Sequence, residues 1–264
     1  MAAGRIHIGI GGWTFPPWRG VFYPPGLPHK AELAYAAQHL TGIEVNGTFY
    51  RLQSPETFAK WHDETPEGFV FALKGSRFVT NRRVLAEAGP SLEKFFASGL
   101  TALKRKLGPI NWQLAATKQF DPADIDAFLA LLPREQDGLT LRHAIEARHE
   151  SFRHPDFVAI ARKHGVAIVT AADGDYPQFT DLTAPFAYLR IMGTGAEHPE
   201  GYDPAALDAW AARAKRLAAG QGHDGLAEPV AAPGPETPRD VFLFVISGEK
   251  QRNPAAAMAL ISRL

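Results

Sequence analysis

Residues 41–52, TGIEVNGTFYRL, place a glutamate inside a short, β-branched apolar run. Strand alternation puts Glu44, Asn46 and Thr48 on one face and Ile43 and Val45 on the other. A carboxylate turned into a core is costly unless donors or cations hold it, so the meaning of Glu44 depends on what surrounds GIEVN (42–46). Seven further β-rich runs recur along the chain: RIHIGI (5–10), FVFALK (69–74), INWQLA (110–115), LRHAIE (141–146), VAIVTA (166–171), FAYLRI (186–191) and VFLFVI (241–246). Helices are expected over 30–40, 54–62, 90–107, 122–132, 155–164, 204–219 and 253–263. Several begin near a proline, whose missing N–H costs little in a first turn. Only the link between the sixth and seventh runs is short. This repetition predicts an α/β protein, a single (β/α)₈ barrel over 1–264, in preference to an open doubly wound sheet. No GxGxxG follows the first run, which argues against a dinucleotide site. The Pro- and Gly-rich segment 220–240 reads as a mobile surface loop before the last strand.

Composition narrows the function classes. Lys and Arg total 28 against 28 Asp and Glu, so no global field recruits duplex nucleic acid or an anionic membrane. Cysteine is absent, which excludes disulfides, thiolate metal sites and cysteine nucleophiles. MAAGRIHIGIGGW lacks a long apolar signal core and no 18-residue apolar run occurs; cytoplasmic residence without membrane association is the expectation. Oligomeric state is not readable.

In a barrel of this kind catalytic groups come from the C-terminal ends of the strands. Those ends are polar: Glu44 and Asn46 after strand 2, Lys74 at strand 3, Gln113 at strand 4, Glu146, Arg148 and His149 at strand 5, Arg190 in strand 7. Two carboxylates and three cations at one mouth suit acid–base chemistry beside an anion subsite. The alternative is a structural salt-bridge network that plugs the barrel end.

The loop GGWTFPPWRGVFYPPG (11–26) is dense in aromatics, and Trp13, following Gly11 and Gly12, is its best ligand candidate. An aromatic–proline cap over the barrel end is the competing reading. Gly193, Thr194, Ser247 and Gly248 follow strands 7 and 8, where such barrels often bind phosphate; ordinary turn chemistry explains them equally. No cofactor is expected. A divalent metal on Glu44, Glu146 and His149 is conceivable but short of a ligand, and neither HExxH nor His-x-His occurs. His7 and His143 lie within strands and read as packed or surface residues.

GGWTFPPWRGVFYP, IEVNGTFYR, TPEGFVFALKGSRFVT, LGPINWQL, EARHESF and AYLRIMG resemble, in order and spacing, the motifs of the YecE-like family. The resemblance runs from strand 1 to strand 7 and implies a (β/α)₈ barrel of unassigned activity. It places the family's motif residues on Glu44, Asn46, Thr48, Phe49, Tyr50, Lys74, Gln113, Glu146, Arg148, His149 and Arg190. The chain departs where the family carries a histidine, at Asn81 and Met192. It also has QLAA for QLPP, and it lacks the asparagine pair around Ser247 and Gly248. Two proton carriers or metal ligands are thereby lost.

The function expected is an enzyme, a hydrolase, lyase or isomerase. Glu44 and Glu146, with His149, would exchange protons with a small anionic substrate, a phosphorylated sugar or nucleotide-like compound. Trp13, Asn46, Tyr50, Lys74, Gln113, Arg148 and Arg190 would bind it. A metal-dependent phosphoesterase, nuclease or sugar isomerase, and a non-catalytic module for anions or nucleic acid, are the alternatives.

Overall fold

Each of the eight runs forms a strand of one parallel α/β barrel in the computed structural model, which describes residues 2–264. The strands are β1 (Ile6–Gly11), β2 (Gly42–Val45), β3 (Val70–Lys74), β4 (Leu107–Gln113), β5 (His143–Glu146), β6 in two segments (Ala167–Ile168 and Thr170–Ala172), β7 (Phe186–Ile191) and β8 (Asp240–Val245). Each pairs in parallel with its neighbours in sequence, and β8 returns to β1. The first segment of β6 pairs with β5 and the second with β7. Between them the Val169 N–H donates to the Ile145 carbonyl at 2.9 Å, so a single strand hands the ladder from one side of the barrel to the other.

Around the strands lie α1 (Glu32–His39), α2 (Pro55–Asp63), α3 (Gly89–Phe96), α4 (Pro122–Ala130), α5 (Pro155–His164), α6 (Pro204–Ala218) and α7 (Asn253–Ile261). Six of the seven open with Pro in the first turn, several behind caps such as Ser54, Asp121 and Asp203 that accept from backbone N–H groups. The helix expected over 90–107 is shorter. It ends at Phe96, because Gly99 takes a left-handed conformation, and a 3₁₀ stretch Leu100–Lys106 carries the chain into β4. No helix among the described residues is long and apolar enough to cross a membrane.

Alternation sorts each strand into two cores. Ile43, Phe71, Ile145, Leu189 and Leu243 pack beneath the helices. Ala72, Ala144, Tyr188, Phe242 and Phe244 fill the barrel interior. Below the mouth, inward positions of β2, β3 and β5 are small (Gly42, Ala72 and Ala144) and those of β7 and β8 are aromatic (Phe186, Tyr188, Phe242 and Phe244), which lets a narrow barrel fill. Gly9 marks the limit: a Cβ there would stand 1.8 Å from the Gly42 carbonyl oxygen.

The link between β6 and β7 carries no helix. Residues 221–239, themselves without helix or strand, lie over that gap as a strap. His223 Nε2 is 3.2 Å from the outward hydroxyl of Thr170. The Asp181 carboxylate accepts from the Val230 and Ala231 N–H groups at 2.9 Å each, and Gln178 Oε1 accepts from Ala227 N–H. The segment is thus tied down at several points, and a cavity of about 870 Å³ remains between it and residues 180–185.

Candidate active site

The inward side chains at the C-terminal ends of β2, β4, β5 and β7 meet in one buried network. Arg190 stands at its centre. Its Nε and Nη2 donate to Glu44 Oε2 and Oε1, both at 3.0 Å. Its Nη1 donates to Glu146 Oε2 at 2.7 Å and Oε1 at 2.9 Å. Both carboxylates are 0% exposed. The guanidinium fork suits this double duty, since it presents five N–H donors in one plane.

The remaining carboxylate valences are also occupied. The Tyr188 hydroxyl donates to Glu44 Oε2 at 2.7 Å. Asn111 Nδ2 donates to Glu146 Oε2 at 3.1 Å and Arg148 Nε to Glu146 Oε1 at 2.7 Å. Gln113 Oε1 accepts from Arg148 Nη2 at 2.8 Å and from Arg190 Nη1 at 3.2 Å. Burial disfavours charge on both Arg190 and Glu146, yet mutual attraction wins: Glu146 is held below the usual carboxylate range and Arg190 above its ordinary value. Burial and the Glu44 charge push Tyr188 well upward, so it serves as a neutral donor.

Lys74 ends β3 beside this network and is only 8% exposed. Its ammonium makes no hydrogen bond or ion pair among the described residues; it lies 4.5 Å from the centre of the Phe49 ring. Thr48 Oγ1, 2.7 Å from the Lys74 carbonyl oxygen, fixes the strand end from the single-turn helix Gly47–Tyr50. Burial and then the Arg190 charge lower its pKa from 10.5 to about 8, against the opposing pull of Glu44 and Glu146. The two carboxylates face three cations, which leaves the mouth with an excess of positive charge.

The other candidates divide. Asn46 lies beside Gly11, partly exposed and without a hydrogen bond to its side-chain amide among the described residues. Arg148 stacks over Tyr176 at 4.0 Å. Tyr50 is 59% exposed and Phe78 61%, with Arg77 lying 6.0 and 5.4 Å from their rings. His149 does not join the carboxylates: its Nδ1 accepts from Ser151 N–H and caps a 3₁₀ turn. Trp13 packs edge-on to Trp61 and Phe71, on the helical side of the barrel wall. Trp18, Phe22 and Tyr23 are buried, so the loop is built as an aromatic cap.

The glycine-rich loops after β7 and β8 are locked on each other. Gly193 N–H donates to the Tyr202 hydroxyl, Thr194 Oγ1 to Asn253 Oδ1, and Glu249 N–H to the Thr194 carbonyl. Ser247 and Gly248 both take positive φ in the turn. No group of three or more His, Asp or Glu side chains among the described residues is arranged to hold a metal ion. The carboxylates that would have to supply it are saturated by arginine, so the donor set does not fit a metal. His143 is packed: its Nδ1 accepts from Trp112 Nε1 and its Nε2 lies 2.7 Å from the Pro133 carbonyl. His7 stacks on Phe242.

Tyr188 and Asn111 are the participants that strand-end reading missed. Each lies two residues before a residue already singled out, Arg190 and Gln113, and so shares its inward face.

A family model described as a protein of unknown function, DUF72, matches residues 7–264. The chain belongs to this family. YecE of Escherichia coli strain K12 is 28% identical to it over 150 residues, 56% of this chain and 50% of that protein. YunF of Bacillus subtilis strain 168 is 31% identical over 78 residues, 30% of this chain and 27% of that one. The chain thus spans about half the length, or less, of these curated relatives. A DUF72 crystal structure from Thermotoga maritima superposes with a TM-score of 0.72 at 19% identity, covering 98% of each chain. One from Enterococcus faecalis gives 0.66 at 17%, covering 100% of each. At these identities the DUF72 structures speak for the fold alone.

Proposed function

We propose that the chain is an enzyme that binds a small anionic substrate, such as a phosphorylated sugar or nucleotide-like compound, at the C-terminal barrel mouth and exchanges protons with it through Lys74. The observation that carries this reading is the unpartnered ammonium of the largely buried Lys74 beside carboxylates already committed to arginine. A group whose pKa lies near neutrality can both take and return a proton. A carboxylate locked by two arginines and held below its usual range is a poor base and, at neutral pH, no acid at all. In this reading Glu44 and Glu146 hold Arg190 and Arg148 in place and set the field at Lys74.

Asn46, Gln113 and Arg148 retain N–H donors that can meet an anion next to Lys74, and the exposed rings of Tyr50 and Phe78 offer a face for a sugar or a base. Acylation of lysines, followed residue by residue by peptide mass analysis, tests the reading. Lys74 should react faster than its burial suggests, and inorganic phosphate should protect it while leaving exposed lysines unaffected. Labelling of Lys74 that ignores phosphate at every concentration would count against an anion site at this mouth.

A further inference from the structure

The chain buries Lys74 and Lys106 and half-buries Lys118, and it treats the first of them differently. Lys106 Nζ donates to the carbonyls of His62 and Thr65 at 2.5 and 2.6 Å. Lys118 Nζ donates to Asp124 at 2.6 Å and to the Arg83 carbonyl at 2.7 Å. Lys74 has no acceptor and rests against the Phe49 ring. The two carboxylates nearby do not trap it, because Arg190 and Arg148 occupy them first. An amine set at the mouth with its stem buried, unpaired and next to guanidinium groups, keeps its lone pair free, which is how a lysine becomes a nucleophile.

Resting on the reading of the mouth given above, we propose that Lys74 forms an imine with the carbonyl carbon of a small aldehyde or ketone that carries a phosphate or carboxylate. Arg148, Gln113 and Asn46 hold the anionic end. The lone pair of the neutral amine attacks the carbonyl carbon, and the C=O π pair moves to oxygen, which gains a proton. The carbinolamine then loses that oxygen as water, the departing proton coming from nitrogen, and a C=N bond to Lys74 remains. Amine and carbonyl enter, imine and water leave, and nothing is oxidised or reduced. Once protonated, the imine draws electrons from the neighbouring carbon, so the reaction class is bond making or breaking there: a lyase or isomerase acting on an open-chain sugar phosphate or an oxo acid.

Cyanoborohydride trapping tests this on the full chain, near the pH at which Lys74 loses its proton. The probes are glycolaldehyde phosphate, glyoxylate and uncharged glycolaldehyde. The expected result is a reduced adduct mapped to the Lys74 peptide with one or both anionic probes, much less with glycolaldehyde, and loss of that adduct in Lys74→Arg and Lys74→Met. Arg148→Gln should erase the preference for the charged probes. Which anionic probe traps distinguishes a phosphate from a carboxylate substrate. Adducts spread over exposed lysines, with Lys74 unmodified or the pattern unchanged in Lys74→Met, would overturn the imine. If Lys74 escapes trapping but remains protected from acylation by phosphate, the imine falls and proton exchange at an anion site stands; if protection is also absent, both fall.

Discussion

At the scale of single residues, Lys74 carries a cost that the fold retains. The fall in its pKa from 10.5 to about 8 corresponds to about 3 kcal/mol. Between those values the unfolded chain binds the extra proton, so the penalty from Lys74 is full below about pH 8 and fades as pH approaches 10.5. Lys74→Met keeps the aliphatic stem against Phe49 and removes the charge. It should raise stability at pH 7 by up to about 3 kcal/mol in a urea titration while abolishing phosphate-sensitive reactivity at this position. A destabilised Lys74→Met would mean that the ammonium has a partner after all. Such a trade, stability given up for a group in an unfavourable setting, is the usual mark of a functional site.

Much of this neighbourhood was legible in the chain. Alternation alone turned Glu44, Glu146, Arg148 and Arg190 inward, and the position of Lys74 at a strand end placed it at the mouth. What alternation could not supply was pairing. Arg190 reaches β2 and β5 from β7, across the barrel, and that geometry depends on the closed ring of strands. The roles expected of Glu44 and Glu146 followed from their residue type. Once both are bound by a guanidinium, the proton-exchanging candidate becomes the lysine left over. His149 was adjacent to Arg148 in sequence, but one residue along a strand end turns a side chain away, and it caps a turn instead.

At the scale of elements, the strap over 221–239 does the work of a missing crossover helix. The shortness of the β6–β7 link was visible in the sequence, and so was the Pro- and Gly-rich character of 220–240. That one would cover the other was not, because some 50 residues separate Asp181 from Val230 and Ala231. Asp181 accepts two backbone N–H bonds while only 3% exposed. Asp181→Ala should cost about 2 kcal/mol and raise amide exchange through 222–238 with little change around Lys74. Exchange in the strap that stays as slow as in the parent would show that the apolar contacts of Leu226 and Val230 hold it without Asp181.

At the scale of the whole molecule, acid should unfold the barrel well before its carboxylates are exhausted. Burial lowers His143 to about 4 and, with the charges of Arg213 and Arg239, His223 to about 3. Both rings are held neutral in the fold, whereas the unfolded chain protonates them below about 6.5. The contribution of these two histidines to stability is therefore complete above that value and declines as pH falls towards 4 and 3. His143 alone accounts for about 3 kcal/mol by pH 4. Glu146, held below its ordinary value, contributes stability above about 4.5 that is lost on further acidification. Urea midpoints measured from pH 7 down to pH 4 should fall steadily, beginning above pH 6; a flat profile to pH 5 would show that the histidines are solvated or can be protonated in place.

The barrel was predicted from the spacing of its strands, and the positive excess at its mouth follows from three cations set against two carboxylates. Both lead to one group. An NMR titration of the Lys74 side chain, with its signal assigned by its loss in Lys74→Met, reads that group directly. The midpoint should lie near pH 8, lower still in Glu146→Gln, where an attraction for the ammonium is removed, and higher in Arg148→Gln, where a repulsion is removed. A midpoint indistinguishable from that of an exposed lysine, unmoved by either substitution, would contradict the assignment of the mouth to Lys74.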